Sequence, residues 1–234
     1  MDKILLIIPA FNESENLPKL INDINKEPYD YDILIINDYS TDNTAKIAKN
    51  LGVNIINLPC NLGIGGSVQT GYKYALENEY DYAIQVDGDG QHDPRYLELL
   101  HKKIKEGYNF VVGSRFIEKK GFQSTFTRRI GIQFFYYLIK VLTKQEITDA
   151  TSGFRIADKS VIKLFSQYYP SDYPEPETII LLLKNNFKIA EIPVVMKERA
   201  NGKSSINFVK SIYYMIKVTL AILLSYFSKK RSFT

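Results

Sequence analysis

Across the first 106 residues, four near-continuously apolar, β-branched runs alternate with four segments of helical periodicity, and this rhythm constrains the fold more than any other feature of the chain. Residues 3–9, 31–38, 53–59 and 80–87 read as strands. Residues 15–27, 41–51, 65–78 and 93–106 read as the helices between them, the first entered through Ser14 as a cap and the last carrying Pro94 in its first turn. Strands that are apolar on both faces need helices on both faces to cover them. The βαβα order therefore predicts an open, mostly parallel, twisted α/β sheet. Past residue 106 the pattern loosens. Residues 109–116 read as a fifth strand, 126–143 as a helix, and 148–160 as a loop or short strand entering another helix. Residues 174–186 read as a helix and 187–199 as a strand, before an apolar run from Ile206 to Phe227.

In such sheets ligands bind beyond the carboxyl ends of the strands. That edge gathers Pro9–Glu13, Asp38–Asp42 and Asp87–Asp89 from three separate loops. In the run Asp87-Gly88-Asp89-Gly90-Gln91, two carboxylates at i and i+2 can face one hard divalent cation, and the glycine between them lets backbone approach a bulky anion. A cation so placed serves chemistry in which a diphosphate departs, because it neutralises the charge that builds on the leaving oxygens. The bland reading is a capped, solvated turn. Gly63, Gly65, Gly66 and Gly71 follow the third strand rather than the first and precede no Lys-Ser/Thr, so they point to close helix–strand packing, not to a dinucleotide or phosphate loop. His92 is expected to be structural, and Glu175 and Glu177 are expected to favour a helix N-terminus.

Net charge hides an asymmetry. Residues 1–120 hold 13 Lys and Arg against 18 Asp and Glu, and residues 121–234 hold 17 against 8. An acidic half suits a cation, and a basic half suits an anionic partner or membrane surface. Nucleic acid is disfavoured, because the basic residues are interleaved with aliphatic runs and no nucleic-acid-binding motif is present. The single cysteine, Cys60, excludes an internal disulfide framework, fits a reducing compartment and is expected to be buried. The N-terminal run reads as a strand and not as a signal peptide. Lys217 sits in the middle of the C-terminal apolar run, which argues against a membrane span. With Lys203 and Lys210 at heptad spacing, and Lys229, Lys230 and Arg231 beyond, that run reads as an amphipathic helix (206–234 with its basic tail) lying on anionic lipid. The alternative is a helix buried against the domain or in a dimer interface. Phe134–Tyr137 and Tyr213–Tyr214 are candidates for lipid contact.

The ordered strings IIPAFNESENL, INDYSTDNT, NLGIGGSVQTGYKYA, QVDGDGQHDP, GSRF, TSGFR and the R-x-x-G-x-S string of Arg199–Ser204 resemble those of the inverting glycosyltransferases of family 2, which have the GT-A fold. Within that family they are most similar to the polyprenyl-phosphate (dolichyl-phosphate-mannose-synthase-like) sugar transferases, over roughly residues 3–205. The resemblance implies that Pro9, Phe11 and Glu13 line a nucleotide pocket with Gly88, and that Asp38 contacts the base. It implies that Asp87 and Asp89, with Gln91 alongside, hold Mg2+ or Mn2+ against the diphosphate, Asp89 being central to catalysis. Arg115, Arg129 and Arg199, with Ser152 and Ser204, would face the phosphates of donor or acceptor. The implied partners are a nucleotide-sugar donor (UDP or GDP) and a polyprenyl-phosphate acceptor at the cytoplasmic membrane face. Two alternatives stay open: transfer to a sugar hydroxyl in envelope-glycan assembly, with Asp149 as the base that inversion then needs, and a non-catalytic sugar-nucleotide-binding membrane partner. The chain departs from the family pattern at Asn37, where a second aspartate is usual, at Tyr39, where glycine is usual, and at Ser205, often a lysine. The serine common four residues after the acceptor-phosphate arginine is also missing, Ile132 and Gln133 standing at that spacing.

Overall fold

The computed structural model describes residues 2–121, 126–172, 174–197 and 208–228. A seven-stranded sheet runs through it in the order β3-β2-β1-β4-β6-β5-β7. The strands are β1 (Ile4–Ala10), β2 (Asp32–Asn37), β3 (Asn54–Asn57), β4 (Tyr82–Gln85), β5 (Phe110–Ser114), β6 (Arg155–Asp158) and β7 (Ile189–Pro193). All pairings are parallel except those of β6, which runs antiparallel to β4 and to β5. The helices are α1 (Leu17–Ile24), α2 (Thr44–Asn50), α3 (Gly63–Glu77), α4 (Leu97–Ile104), α5 (Phe126–Thr143), α6 (Lys159–Gln167), α7 (Pro174–Lys184) and α8 (Phe208–Phe227).

Successive residues of a strand point to opposite faces, and β1 shows the consequence. Leu5 and Ile7 join one core with residues of α3, α5, α6, α7 and α8, while Leu6 and Ile8 join a second core with α1, α2 and α4. The all-buried sequence of β1 is thus the signature of a sheet covered on both sides. α1 buries Leu17, Leu20, Ile21 and Ile24, one stripe at helical spacing. The α3 glycines allow close approach. A Cβ on Gly71 would lie 2.3 Å from Ile7 of β1, and one on Gly65 would lie 2.2 Å from the Pro170 carbonyl oxygen.

Three local expectations are corrected. Ser14 does not cap α1, because the first amides of that helix are taken by the Glu13 carbonyl (3.0 Å from Asn16 N and 3.1 Å from Leu17 N) and Ser14 N itself donates to Asp42. The helix expected at 93–106 opens as a single 3-10 turn, Pro94–Tyr96, with the Asp93 side chain accepting from Arg95 N. Cys60 is exposed, since it sits in the loop that leaves β3.

α8 is two-sided. Val218 and Ile222 are buried in the core shared with α7 and α5, and Lys184 Nζ of α7 donates to the Ser225 and Tyr226 carbonyls at its C-terminus (2.8 and 3.0 Å). Its other face leaves Tyr213, Ile216, Leu220, Leu224 and Phe227 exposed. α5 repeats the arrangement, burying Phe135 and Ile139 and exposing Ile130, Phe134, Tyr137 and Val141. Among the described residues no helix is long and apolar enough to cross a membrane.

Candidate active site

The strand order places β1 between β2 and β4, so the chain leaves β1 and β4 in opposite directions around the sheet, and a crevice opens at their carboxyl ends. A cleft of about 920 Å³ lies there, and its lining includes Pro9, Phe11, Glu13, Asp38, Ser67, Asp87, Gly88 and Asp89. The three loops expected along this edge therefore do converge.

The first two loops are stapled together by side chains. Asn12, at a φ of 57°, accepts from Thr41 N at 2.9 Å and from Asp42 N at 3.3 Å through Oδ1, while its own N–H donates to Ser40 Oγ at 3.0 Å. Glu13 N donates to Thr44 Oγ1 (2.9 Å) and Ser14 N to Asp42 Oδ2 (3.2 Å). Burial acts to raise the Asp42 carboxyl, but the donors from Thr44 and Ser14 outweigh it and hold Asp42 below its ordinary value. The two unusual residues of the second loop are accommodated. Asn37 donates to Asn57 Oδ1 (2.8 Å) and accepts from Ser40 N (3.2 Å), joining the ends of β2 and β3. Tyr39 adopts the left-handed conformation natural to glycine, with φ at 61° and its ring in solvent. Asp38 is buried at the cleft wall, with Oδ1 accepting from Leu62 N at 2.7 Å.

The Asp87–Gln91 turn forms the opposite wall. A Cβ on Gly88 would lie 3.0 Å from the Pro9 carbonyl oxygen, so glycine lets the turn close against β1. Gly90, with φ at 74°, reverses the chain, and Asp89 Oδ1 accepts from Gln91 N at 3.0 Å. Both carboxylates line the cleft, whereas Gln91 does not and donates instead to the Lys197 carbonyl at 3.2 Å. Among the described residues no cluster of three or more His, Cys, Asp or Glu is arranged to hold a metal. The pair fits the way Mg2+ is commonly held, by one or two carboxylates with substrate phosphates and water completing the shell. His92, expected to be partly exposed, is buried, its ring stacked on Phe154 with centroids 4.7 Å apart.

The remaining candidates divide. Arg115 and Asp149 form a buried fork, Nε to Oδ2 at 2.7 Å and Nη2 to Oδ1 at 2.8 Å, and Thr151 Oγ1 adds a donor to Oδ1 at 3.1 Å. Burial works against the guanidinium charge, but Asp149 outweighs it and holds Arg115 above its ordinary value. The conditional base Asp149 is fully buried and lines no part of the cleft. Its amide and that of Thr148 are gripped by the carboxylate of Glu191 at 2.9 and 2.7 Å. Arg129 is exposed on α5 and lines a separate pocket of about 250 Å³ with Phe116, Lys119, Ile132, Gln133, Tyr136 and Thr148. Ser152 is buried and turned into its own loop, where Oγ accepts from Phe154 N at 3.2 Å. Arg199 and Ser204 lie outside the described residues, as do Lys203 and Ser205.

Sequence reasoning missed the staples Asn12, Ser40 and Thr44, and also Ser67, Gln85 and Arg155. Only the left-handed turn at Asn12 could have been suspected, because asparagine tolerates that conformation better than most residues.

Residues 5–165 match the Glycosyl transferase family 2. The chain is 33% identical over 215 residues to a UDP-N-acetylglucosamine–dolichyl-phosphate N-acetylglucosaminyltransferase of Methanococcus voltae, covering 82% of this chain and 85% of that one. It is 25% identical over 217 residues to a polyprenol monophosphomannose synthase of Mycolicibacterium smegmatis, covering 87% and 80%. The fold resembles that of glucosyl-3-phosphoglycerate synthase from Mycobacterium tuberculosis, solved with Mn2+ and UDP, with a TM-score of 0.73 at 18% identity over 96% of this chain and 80% of that one. The fold, the convergent acidic loops and the family match agree: the chain belongs to glycosyl transferase family 2 and is a glycosyltransferase with the GT-A fold.

Proposed function

We propose that this enzyme moves a sugar from a nucleoside-diphosphate sugar onto a polyprenyl phosphate, with a divalent cation, at a membrane surface. The observation that carries the reading is the Asp87-Gly88-Asp89 turn, which places two carboxylates on one wall of a cleft large enough for a nucleotide, opposite Asp38. Pockets of a few hundred to about 1,000 Å³ are of ligand size. In this reading Asp87 and Asp89 hold Mg2+ or Mn2+, and that ion supplies charge neutralisation on the departing diphosphate. Phe11, nearly half exposed at the cleft rim, offers a ring face to the base. Asp38 offers its carboxylate to base N–H groups, its Oδ1 being already steadied by Leu62 N.

A phosphate acceptor is already ionised, so its attack on the anomeric carbon requires no proton removal. The engagement of both Asp149 oxygens with Arg115 and Thr151 is compatible with that chemistry and ill suited to a mobile base. The pocket lined by Arg129, Lys119, Phe116 and Tyr136 combines cationic and aromatic groups, as an amphipathic lipid phosphate requires. Two neighbouring helices, α5 and α8, together leave nine large apolar side chains exposed among the described residues, in stripes at helical spacing. Patches of that kind mark interaction surfaces, and a peripheral seat on anionic lipid fits the basic balance of the second half. The relatives from Methanococcus voltae and Mycolicibacterium smegmatis, whose names specify dolichyl phosphate and a polyprenol product, support the acceptor class.

The test is thermal melting with UDP, GDP and their sugars, with Mn2+ or with EDTA. A nucleotide that raises the melting temperature much more with the cation than in EDTA is expected, since a ligand bound by the native state stabilises it. Stabilisation of equal size in EDTA would remove the metal from the account.

A further inference from the structure

Asp87 is gripped from beneath the cleft as well as presented to it. Its Oδ1 accepts from Gln85 Nε2 at 3.2 Å. Its backbone N–H donates to His92 Nδ1 at 3.0 Å, and Nε2 of the same ring stands 3.6 Å from Oδ2. Gly153 closes the third side: a Cβ there would lie 2.9 and 3.1 Å from the Asp87 carboxylate oxygens and 3.0 Å from Gln85 Nε2.

The antiparallel insertion of β6 builds this socket. Its register pairs Gln85 of β4 with Arg155. Arg155 is fully buried and donates from Nε to the Ser152 carbonyl at 2.9 Å and from Nη1 to Thr178 Oγ1 of α7 at 2.9 Å. The guanidinium thereby ties the backbone just before Gly153 to α7, and Gly153, lacking a Cβ, leaves the space that the Asp87 carboxylate and the Gln85 amide occupy.

Gln85 is the member of the socket that a purely structural role explains least. It has no exposed surface, it ends a strand whose interior neighbours Ala83 and Ile84 are apolar, and its Oε1 has no hydrogen-bond partner among the described residues. A buried amide with one end unsatisfied costs stability that an apolar side chain of the same shape would avoid. Its side-chain amide donates to the Asp87 carboxylate. A neutral amide donor steers a carboxylate while leaving its charge for a cation, which a lysine or arginine in the same place would not do.

We propose that Gln85 is a positioning residue of the metal site, its Nε2–H holding the Asp87 carboxylate in the orientation in which it lines the cleft. The proposal rests on the cation-and-diphosphate reading of that cleft. Partners that orient metal-ligating carboxylates typically contribute 10–100-fold to metal affinity. The experiment uses Gln85→Met, which keeps the length and loses the donor. Mn2+ binding is followed by the electron paramagnetic resonance signal of the free ion in the presence of UDP or GDP, alongside ligand-free melting and nucleotide binding in EDTA. The expected result is Mn2+ affinity weakened about tenfold or more, with a melting temperature at or above wild type and metal-free nucleotide affinity unchanged. Mn2+ affinity within twofold of wild type would overturn the proposal. If Gln85→Met does not fold, Gln85→Asn, one methylene shorter, withdraws the same N–H, and normal Mn2+ binding by it overturns the proposal equally. Failure of the wild-type enzyme itself to bind Mn2+ with either nucleotide would overturn the cation reading and this proposal with it, an outcome separate from any result on the variants.

Discussion

The two halves of the molecule meet at β4 and are finished in opposite ways. On the β1–β3 side, the first two loops are cross-linked by side-chain hydrogen bonds from Asn12, Ser40, Asp42 and Thr44, and the acidic groups Asp38 and Asp89 are buried at the wall of a formed cleft. On the α5–α8 side, the interior is equally well packed around Phe135, Val218 and Ile222, yet the outer faces are left apolar, with Leu224 at 73% and Phe227 at 76% exposure. A surface that holds its polar groups in place before a ligand arrives suits a small charged donor, because little ordering remains to oppose binding. A surface that exposes rows of large apolar groups suits a partner that supplies the missing cover, and a bilayer does so without needing a specific shape.

The comparison breaks first if the cleft is not the seat of catalysis. Asp89→Ala is expected to lower the transfer rate by about 10²–10³-fold, the usual size of losing one preorganised electrostatic contact, with the fold retained and a modest fall in melting temperature from the lost Gln91 N–H bond. Full activity with intact folding would refute the assignment. Asp149→Asn comes next and separates stability from chemistry. Removing one charge of a buried pair typically costs about 3–5 kcal/mol, so the melting temperature should fall sharply. Activity per folded molecule should stay within about tenfold of wild type, since losing a general base typically costs about 10²–10⁴-fold.

The outer surface is sharpened by Leu220→Glu with Leu224→Glu. Each leucine is worth roughly 1.5–3 kcal/mol when fully buried, so sedimentation with anionic vesicles should weaken by tenfold or more while melting and nucleotide binding hold. The smallest effect expected is on the turn beyond the carboxylate pair. Burial acts to raise the Asp93 carboxyl, but the Arg95 side chain and amide outweigh it and hold Asp93 below its ordinary value. A depressed carboxyl contributes stability above its unfolded-state pKa and loses it as pH falls through the folded-state value. Asp93→Asn should therefore narrow the stability difference between pH 7 and the acid range below about pH 4, which acid melts of the two proteins will show.

Much of this was legible because it is periodic or local. The apolar runs gave the strand count of the first half, and 126–143 marks α5 to the residue, since its helical pattern is long and uninterrupted. The Asp87–Asp89 turn could be placed on the right edge of the sheet because parallel βαβ order dictates where strand ends fall. What could not be read depends on residues distant in sequence. Arg115 and Asp149 are 34 residues apart, and each alone resembles a functional charge, so their pairing removes Asp149 from the cleft in a way no spacing announces. Gln85 looks like an ordinary polar residue at a strand end until β6 brings Gly153 and Arg155 beside it. β6 itself is four residues long, too short for its alternation to separate it from the loop that precedes it. The C-terminal helix was visible from composition, but its double use, packed on α7 within and apolar without, depends on which face meets the domain.

The most direct test is incorporation of labelled sugar from a panel of UDP- and GDP-sugars into polyprenyl phosphate carried in anionic vesicles, with Mn2+ or Mg2+ and with EDTA. The account predicts a lipid-linked product from at least one donor that is lost in EDTA and in Asp89→Ala. A product formed equally well without the cation, or sugar transferred only to glycan hydroxyls and never to the lipid phosphate, would contradict it.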